Sequence, residues 1–160
     1  MKQNNSSGCV VCGDKNDFSM GTRFYETESG EVVSVFFPRK RHEGYPGRLH
    51  GGMAAALLDE TIGRAICVSH PDTWGVTVEL EVKYHKPLPT ETELRAVGRI
   101  TRDSRKIFEG SGEILLSDGT VAVEAKGKYF KIPMNEMVDK SFIENDWYYI
   151  QEEVPECIDV

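Results

Sequence analysis

The strongest indication of the fold comes from an Ala- and Leu-rich run. It reads His50-Gly51-Gly52-Met53-Ala54-Ala55-Ala56-Leu57-Leu58-Asp59-Glu60. Ala and Leu are strong helix formers, and the apolar residues of this run cover every face of a helix. Because Pro71 follows a short way along the chain, the pattern predicts one long helix over residues 51–69 that is buried on all sides.

Strand patterns flank this helix. Val and Phe predict a strand over 31–37, and a strict alternation with one apolar face predicts another over 76–85. Further strands are predicted over 94–101, 107–116 and 121–130, the last two joined by an Asp-Gly turn. Glycines inside strands often mark bends. The predicted fold class is therefore α+β, with a curved antiparallel sheet of about five strands wrapped around one long central helix.

The chain divides into three parts by composition. Its 160 residues suit one domain. Residues 1–22 are polar and glycine-rich, which predicts a loose lead-in, and residues 23–132 hold the predicted sheet and helix. Residues 133–160 form a C-terminal extension, whose aromatic residues we expect to pack on the body or on a partner chain.

Charge and hydropathy exclude several classes of protein. A net charge of −7 and a pI of about 5.1 disfavour non-specific binding to nucleic acid. The sequence lacks an apolar run of about eighteen residues, so no membrane span is predicted. The first residues lack the apolar segment of a signal peptide, which predicts a cytoplasmic location.

The cysteines give a weak metal signal. Cys9 and Cys12 have the spacing of a zinc knuckle, but a second knuckle is missing. Cys67 and His70 are the residues that would have to complete such a site, and Cys157 stands alone. In a reducing compartment we expect free thiols, with no bound metal.

The start of the helix is the first candidate for chemistry. The first N–H groups of a helix have no internal partner and carry a partial positive charge. Gly51 and Gly52 leave that backbone open, so it is suited to hold a developing oxyanion. The alternative is a glycine turn in which His50 caps the helix or packs against it.

Two adjacent acids differ in their surroundings. Glu60 has Arg64 one helical turn further on, which predicts an ion pair and a hydrated side chain. Asp59 instead shares its helix face with small and apolar residues, and a buried carboxylate without a cation is costly. Either a catalytic role or a hydrogen-bonded place in the core would account for Asp59.

Further candidates lie on the strands. Thr77 falls on the polar side of its strand, so its approach to Asp59 would require a second chain. Basic residues at the ends of two strands are suited to the phosphates of a nucleotide, although an ordinary solvated hairpin tip is the alternative. The predicted substrate-binding residues are Gly52, Tyr84, Lys86, Arg102, Ser104, Arg105 and Lys106.

At this point the residues resemble a known family. Residues 44–60, with Pro46-Gly47, His50-Gly51-Gly52 and Asp59, resemble the signature of the PaaI-like hotdog acyl-CoA thioesterases. Residues 80–89 resemble the strand that follows it in that family, and Cys9-Val10-Val11-Cys12-Gly13 resembles a frequent start in one bacterial branch. The resemblance covers about residues 8–132.

This resemblance implies an enzyme that hydrolyses acyl-CoA without a metal or organic cofactor. It implies a homodimer, or a dimer of dimers, with active sites at the subunit interface. The acid at Asp59 would be nucleophile or general base, the Gly51 N–H would face the thioester carbonyl, and Thr77 would assist. The predicted catalytic residues are therefore Asp59, Gly51, His50 and Thr77. Some members carry Asn or Gln where this chain has Gly44, which leaves the water-mediated and covalent routes both open.

Two other functions remain open from the sequence. A binding module would hold acyl-CoA without turning it over, although it has less need of both Asp59 and Thr77. A hotdog dehydratase or hydratase would use His50 in an acid–base pair, although the His-Gly-Gly register resembles the thioesterases more.

Overall fold

The computed structural model describes residues 1–152 and residue 158, so Cys157 lies outside the described residues. The helices, in chain order, are α1 Gly51–Arg64, α2 Ile66–Ser69, α3 Met134–Met137 and α4 Lys140–Asn145. The strands are β1 Asn5–Ser6, β2 Arg23–Glu26, β3 Val32–Phe36, β4 Glu43–Tyr45, β5 Arg48–Leu49, β6 Thr73–Tyr84, β7 Leu94–Asp103, β8 Ile107–Leu115, β9 Val121–Pro133 and β10 Trp147–Tyr148. Among the described residues, no helix is long and apolar enough to cross a bilayer.

A six-stranded antiparallel sheet forms the body, in the order β2-β3-β7-β8-β9-β6. All five predicted strands are present. The sixth, β2, was missed because its four residues are too short to show an alternation, although Phe24 and Tyr25 are buried. Strand β6 lies at one edge of the sheet, and among the described residues its outer side has no neighbouring strand.

Helix α1 packs across one face of this sheet. On the side of α1 that faces the sheet, Leu57, Leu58 and Ile62 are fully buried. On the opposite side of the helix, Ala55 and Ala56 are only half-buried. The prediction of a helix buried on every side is therefore wrong for the single chain. The helix is also shorter than predicted, because a turn at Ala65 separates α1 from α2.

Glycines in the sheet allow the helix to approach closely. A Cβ atom at Gly98 would lie 2.6 Å from the backbone oxygen of Thr61, and one at Gly112 would lie 2.9 Å from the Ile62 side chain. A larger residue at either position would push α1 away from the sheet. These strand glycines therefore make room for the helix.

The two ends of the chain pack together on this body. Strand β1 pairs with β10, and the Ser7 N–H donates to the Asp146 carbonyl at 2.9 Å. Val11 and Cys12 are buried in the core, so the lead-in is packed rather than loose. The C-terminal extension, as far as it is described, packs on the body of its own chain. The exact division of the chain at residues 22 and 132 stays a prediction.

Candidate active site

Asp59 and Thr77 form a hydrogen-bonded pair between the helix and the edge strand. The Thr77 hydroxyl lies 2.8 Å from Asp59 Oδ1 and 3.1 Å from Oδ2, so it donates to the carboxylate. Both residues line a cavity of about 470 Å³ between α1 and the first half of β6. The structure therefore brings together two residues that the sequence placed eighteen positions apart.

A β-bulge explains why Thr77 faces the helix. The pairing of β6 with β9 shifts register between Thr77 and Glu79, so the alternation of sides changes at Val78. Val76 and Val78 consequently point outward, and Val78 is 59% exposed. The prediction that Thr77 lies on the polar side and needs a second chain to reach Asp59 is wrong, because the alternation was counted through the bulge.

The surroundings of Asp59 make its carboxyl a stronger base. Burial raises the pKa of Asp59 above its ordinary value of 3.8, and the hydrogen bond from Thr77 opposes part of that rise. Ala56 and Gly63 on the same face of α1 also line the cavity, as expected for a carboxylate among small residues. A carboxyl with a raised pKa accepts a proton more readily near neutral pH.

Tyr129 is a supporting residue that the sequence did not reveal. It pairs with Thr77 across β6 and β9, and its hydroxyl donates to the Asp59 backbone carbonyl at 3.2 Å. Its ring is buried and stacks on Phe108 with centroids 4.9 Å apart. Tyr129 therefore fixes the helix turn that carries Asp59. The sequence placed Tyr129 in the last predicted strand, but its role could be found only by knowing that this strand pairs with β6.

Glu60 makes the predicted ion pair with Arg64. Their nitrogen and oxygen atoms approach to 2.8 Å, and the Cys9 thiol donates to the other Glu60 oxygen at 3.1 Å. The Glu60 side chain is only 19% exposed, so the expectation of a hydrated carboxylate is wrong. Glu60 therefore has two structural partners, Arg64 and Cys9. Asp59 is bonded to the Thr77 hydroxyl and has no cation partner among the described residues, as its position on the helix face predicted.

The start of α1 presents an open N–H group. His50 is the N-cap, and its Nδ1 accepts the Gly52 N–H at 2.9 Å, which confirms the capping alternative for this residue. The Tyr84 hydroxyl donates to the Gly51 carbonyl at 2.7 Å. The Gly51 N–H makes no hydrogen bond within the part of the chain that the structure describes. It is therefore available to a ligand.

One chain does not bring this N–H to Asp59. Gly51 and Asp59 are eight residues apart on one straight helix, and at 1.5 Å per residue that separates them by about 12 Å. A single thioester carbonyl cannot contact both groups of the same chain.

The predicted basic residues also lie apart. Lys86 bonds to Ala122 at one end of β9, whereas Lys106 bonds to Lys131 near the other. Nine residues of strand separate these points, or about 30 Å at about 3.3 Å per residue. Arg102, Ser104, Arg105 and Lys106 form an exposed hairpin tip, in which the Ser104 hydroxyl donates to the Ile107 carbonyl at 2.6 Å.

Within the part of the chain that the structure describes, Cys9, Cys12 and Glu60 form the group that could hold a metal ion, since their donor atoms lie within 4.8 Å of one another. The Arg64 guanidinium, however, donates to the Cys12 sulfur at 3.4 Å as well as to Glu60. Its positive charge opposes a cation at this point. His70 turns instead toward the Ser69 hydroxyl, at 2.9 Å. The absence of a metal stays a prediction.

Known proteins resemble this chain in sequence and fold. The model of the thioesterase superfamily matches residues 46–123. A crystal structure of a thioesterase superfamily protein aligns with a TM-score of 0.70 at 27% identity, over 76% of this chain and 62% of that one. The E. coli PaaI protein aligns with a TM-score of 0.64 at 16% identity, over 71% and 80% of the two chains.

Among curated sequences, the acyl-coenzyme A thioesterase THEM4 of Mus musculus is 26% identical over 110 residues. The match covers 68% of this chain and 46% of that protein. The chain thus spans about half the length of the curated relatives it matches.

Proposed function

The chain belongs to the thioesterase superfamily and has its predicted hotdog fold, and from this premise we propose that it is an acyl-CoA thioesterase. It hydrolyses the thioester to a free acid and CoA. The observation that carries the proposal is the pair formed by Asp59 and the Thr77 hydroxyl, 2.8 Å apart, at an apolar cavity. The cytoplasmic location stays a prediction from the sequence.

Asp59 supplies the base or the nucleophile. In the water route its carboxylate takes a proton from water while the oxygen attacks the thioester carbon, and the C–S bond breaks to release CoA thiolate, which is then protonated. In the covalent route the carboxylate attacks the thioester carbon directly, the C–S bond breaks to release CoA thiolate, and water then hydrolyses the mixed anhydride to the free acid and the Asp59 carboxylate. A Cβ at Gly44 would lie 3.2 Å from the His50 ring, so an amide side chain there would require His50 to move.

The Gly51 N–H supplies the oxyanion donor in this proposal. Because this N–H and Asp59 lie about 12 Å apart along α1 of one chain, the site requires two chains. The donor belongs to one copy and Asp59 to the other. His50 acts as a positioning residue, because its cap fixes the first turn of α1 with the Gly51 N–H exposed.

Pairing of two β6 edges would build such a site. Thr77 lies beside Asp59, and Tyr84 lies beside Gly51. If Tyr84 of a second copy lies opposite Thr77, the two-fold axis passes between Leu80 and Glu81, and each Gly51 approaches the other copy's Asp59. The same pairing satisfies an edge that would otherwise be open to aggregation. Two such dimers would form the predicted dimer of dimers.

The nucleotide end of CoA fits the same arrangement. A two-fold axis at the centre of β6 carries Lys86 of the second copy to the end of the sheet where the first copy has Arg102, Ser104, Arg105 and Lys106. Residues that lie about 30 Å apart in one chain thereby approach one another. The hairpin tip then offers exposed cations for the CoA phosphates.

A panel of acyl-CoA substrates tests the proposal, with release of the CoA thiol as the readout. We expect turnover with at least one acyl group and about a hundredfold loss in Asp59→Asn, the low end for acid–base catalysis. Glu60→Gln is the neighbouring control and should lose much less, with thermal unfolding measured because it also weakens the pair with Arg64. Absence of turnover across the panel, or near-normal turnover in Asp59→Asn, would contradict the proposal.

The panel also separates the alternatives. Saturable binding without thiol release would indicate a binding module, and formation of an enoyl product from a 3-hydroxyacyl thioester would indicate a dehydratase. The geometry gives little support to the latter, because His50 uses one ring nitrogen to cap α1.

A further inference from the structure

The cavity beside Asp59 has a wall that the matched family segment does not supply. The superfamily model covers residues 46–123, which include Asp59, Thr77 and Trp74. The opposite wall comes from the two ends of the chain, here called the N-terminal arm (residues 1–22) and the C-terminal arm (residues 134–152). Neither arm lies within the matched segment.

The two arms form one structure across the cavity. Beside the pairing of β1 with β10, Lys15 bonds to Asp146 at 3.2 Å, and the Tyr148 hydroxyl donates to Asp14 at 2.8 Å. These bonds are polar and lie on the outer side of the arms. The inner side presents Val10 and Val11 from one arm and Met137, Phe142 and Trp147 from the other.

Three aromatic residues that line this cavity contact one another. The Trp74 ring meets Phe142 edge-on at 6.2 Å between centroids and Trp147 at 5.1 Å. Trp74 belongs to β6 and the other two belong to the C-terminal arm, so the cluster joins body and arm. A volume of about 470 Å³ lies within the range of roughly 300–1,000 Å³ that is usual for small organic ligands.

The charges around the cavity disfavour an acidic ligand. Asp59 and Glu60 both line it. Arg64 is the one cation among its described lining residues, and its guanidinium already donates to Glu60, to Cys12 and to the Asn4 carbonyl at 2.7 Å. A carboxylate at the far end of an acyl group would meet two acids and an Arg whose donors are engaged.

We propose that the arms and the aromatic cluster form the acyl-binding pocket of this chain, and that it selects apolar, uncharged acyl groups longer than acetyl. This rests on the proposed function for the thioester itself. The reacting carbonyl lies at Asp59 and Thr77, and the acyl tail extends toward Phe142 and Trp147. Acyl groups that end in a carboxylate, such as succinyl, are rejected.

The dependence of kcat/KM on the length of the acyl chain tests this pocket. Each methylene that enters an apolar pocket contributes about 0.8 kcal/mol, so kcat/KM should rise by up to about fourfold per methylene from acetyl-CoA until the pocket is full. Phe142→Ala should lower kcat/KM for octanoyl-CoA roughly tenfold while leaving acetyl-CoA nearly unchanged. Ile143→Ala is the matched control, a half-buried neighbour on α4 that does not line the cavity.

Binding can be measured without turnover, because the only two tryptophans of the chain, Trp74 and Trp147, both line the cavity. Titration with S-octyl-CoA, a thioether that cannot be hydrolysed, should change their fluorescence saturably, and more weakly in Phe142→Ala than in Ile143→Ala. CoA alone should produce much less change.

The outcomes separate this inference from the proposed function. Saturable fluorescence change without hydrolysis of any acyl-CoA would keep the pocket and overturn the thioesterase. Hydrolysis without chain-length dependence, an equal loss for acetyl- and octanoyl-CoA in Phe142→Ala, or good turnover of succinyl-CoA would overturn the pocket and leave the thioesterase standing.

Discussion

Replacing Gly51 by proline removes one N–H group from the site and leaves the helix in place. Gly51 is the first residue of α1, the position where helices favour proline. The preceding His50 has φ −60° and ψ 134°, the extended backbone that a residue before proline prefers. A Cβ at position 51 would lie 3.5 Å from the Tyr84 ring, which is ordinary contact.

The expected effect of Gly51→Pro is on turnover. Loss of one oxyanion donor lowers kcat by about 10²–10³-fold, because the transition state loses a hydrogen bond that the bound substrate makes only weakly. Gly51→Ala is the matched control, since it adds the same Cβ and keeps the N–H. Steady-state thiol release with octanoyl-CoA measures both, and thermal unfolding shows that both are folded. Equal turnover in the two variants would refute the oxyanion role of Gly51.

The same variant tests whether the site spans two chains. Gly51→Pro and Asp59→Asn should each retain about 1% of the normal turnover or less when alone. A mixed dimer, however, has one site with an intact Gly51 from one copy and an intact Asp59 from the other. Random exchange of equal amounts makes half of the dimers mixed, with one working site of two, so about one quarter of the normal activity should return. Recovery of nothing after verified exchange would place the whole site within one chain.

Three shorter predictions follow from the same geometry. Burial raises the pKa of Asp59 in the folded protein, so its contribution to stability is lost as the pH rises through that pKa. Asp59→Asn should therefore raise Tm at pH 7, and this gain should disappear below pH 3.8, where Asp59 is protonated in both the folded and the unfolded chain. A lower Tm at pH 7 would contradict this. Thr77→Ala removes the hydrogen bond that lowers the Asp59 pKa, so the acidic limb of kcat should move to higher pH, and Thr77→Ser should restore it. Light scattering should give about two or four times 18.0 kDa, and an active species of 18.0 kDa would rule out the paired edges.

Elements with strong local signals were predictable from the sequence. The Ala- and Leu-rich run gave α1 with its start at Gly51, and the strands at residues 94–103 and 107–115 were found because their patterns are local. The bulge at Val78 was not, since it arises from pairing with β9, which no pattern within β6 records. Because of the bulge, Thr77 lies on the opposite face of the strand from the one that a strict alternation predicts.

The residues of the site were likewise predictable where a local pattern was enough and missed where strand pairing had to be known. Spacing on one helix was enough to pair Glu60 with Arg64 and to predict that Asp59 has no cation beside it on the helix. Tyr129 required knowledge of which strand lies beside β6, and the separation of Lys86 from Lys106 required the full register of the sheet. The C-terminal extension was expected to pack on the body or on a partner chain, but the cavity wall that it forms with the N-terminal arm was missed, because the pairing of β1 with β10 joins segments far apart in the sequence.

Reaction and selection place different demands on the fold. A donor and a base act only if they are held to within a fraction of an ångström, and Gly51, Asp59 and Thr77 accordingly lie on the long helix and the long edge strand. An apolar wall requires only surface at the right depth, which two arms tied by outward polar bonds can supply. Substitutions at Phe142 or Met137 can therefore change the preferred acyl group without moving the atoms that perform the hydrolysis, whereas a shift of α1 by one residue would abolish it for every acyl group.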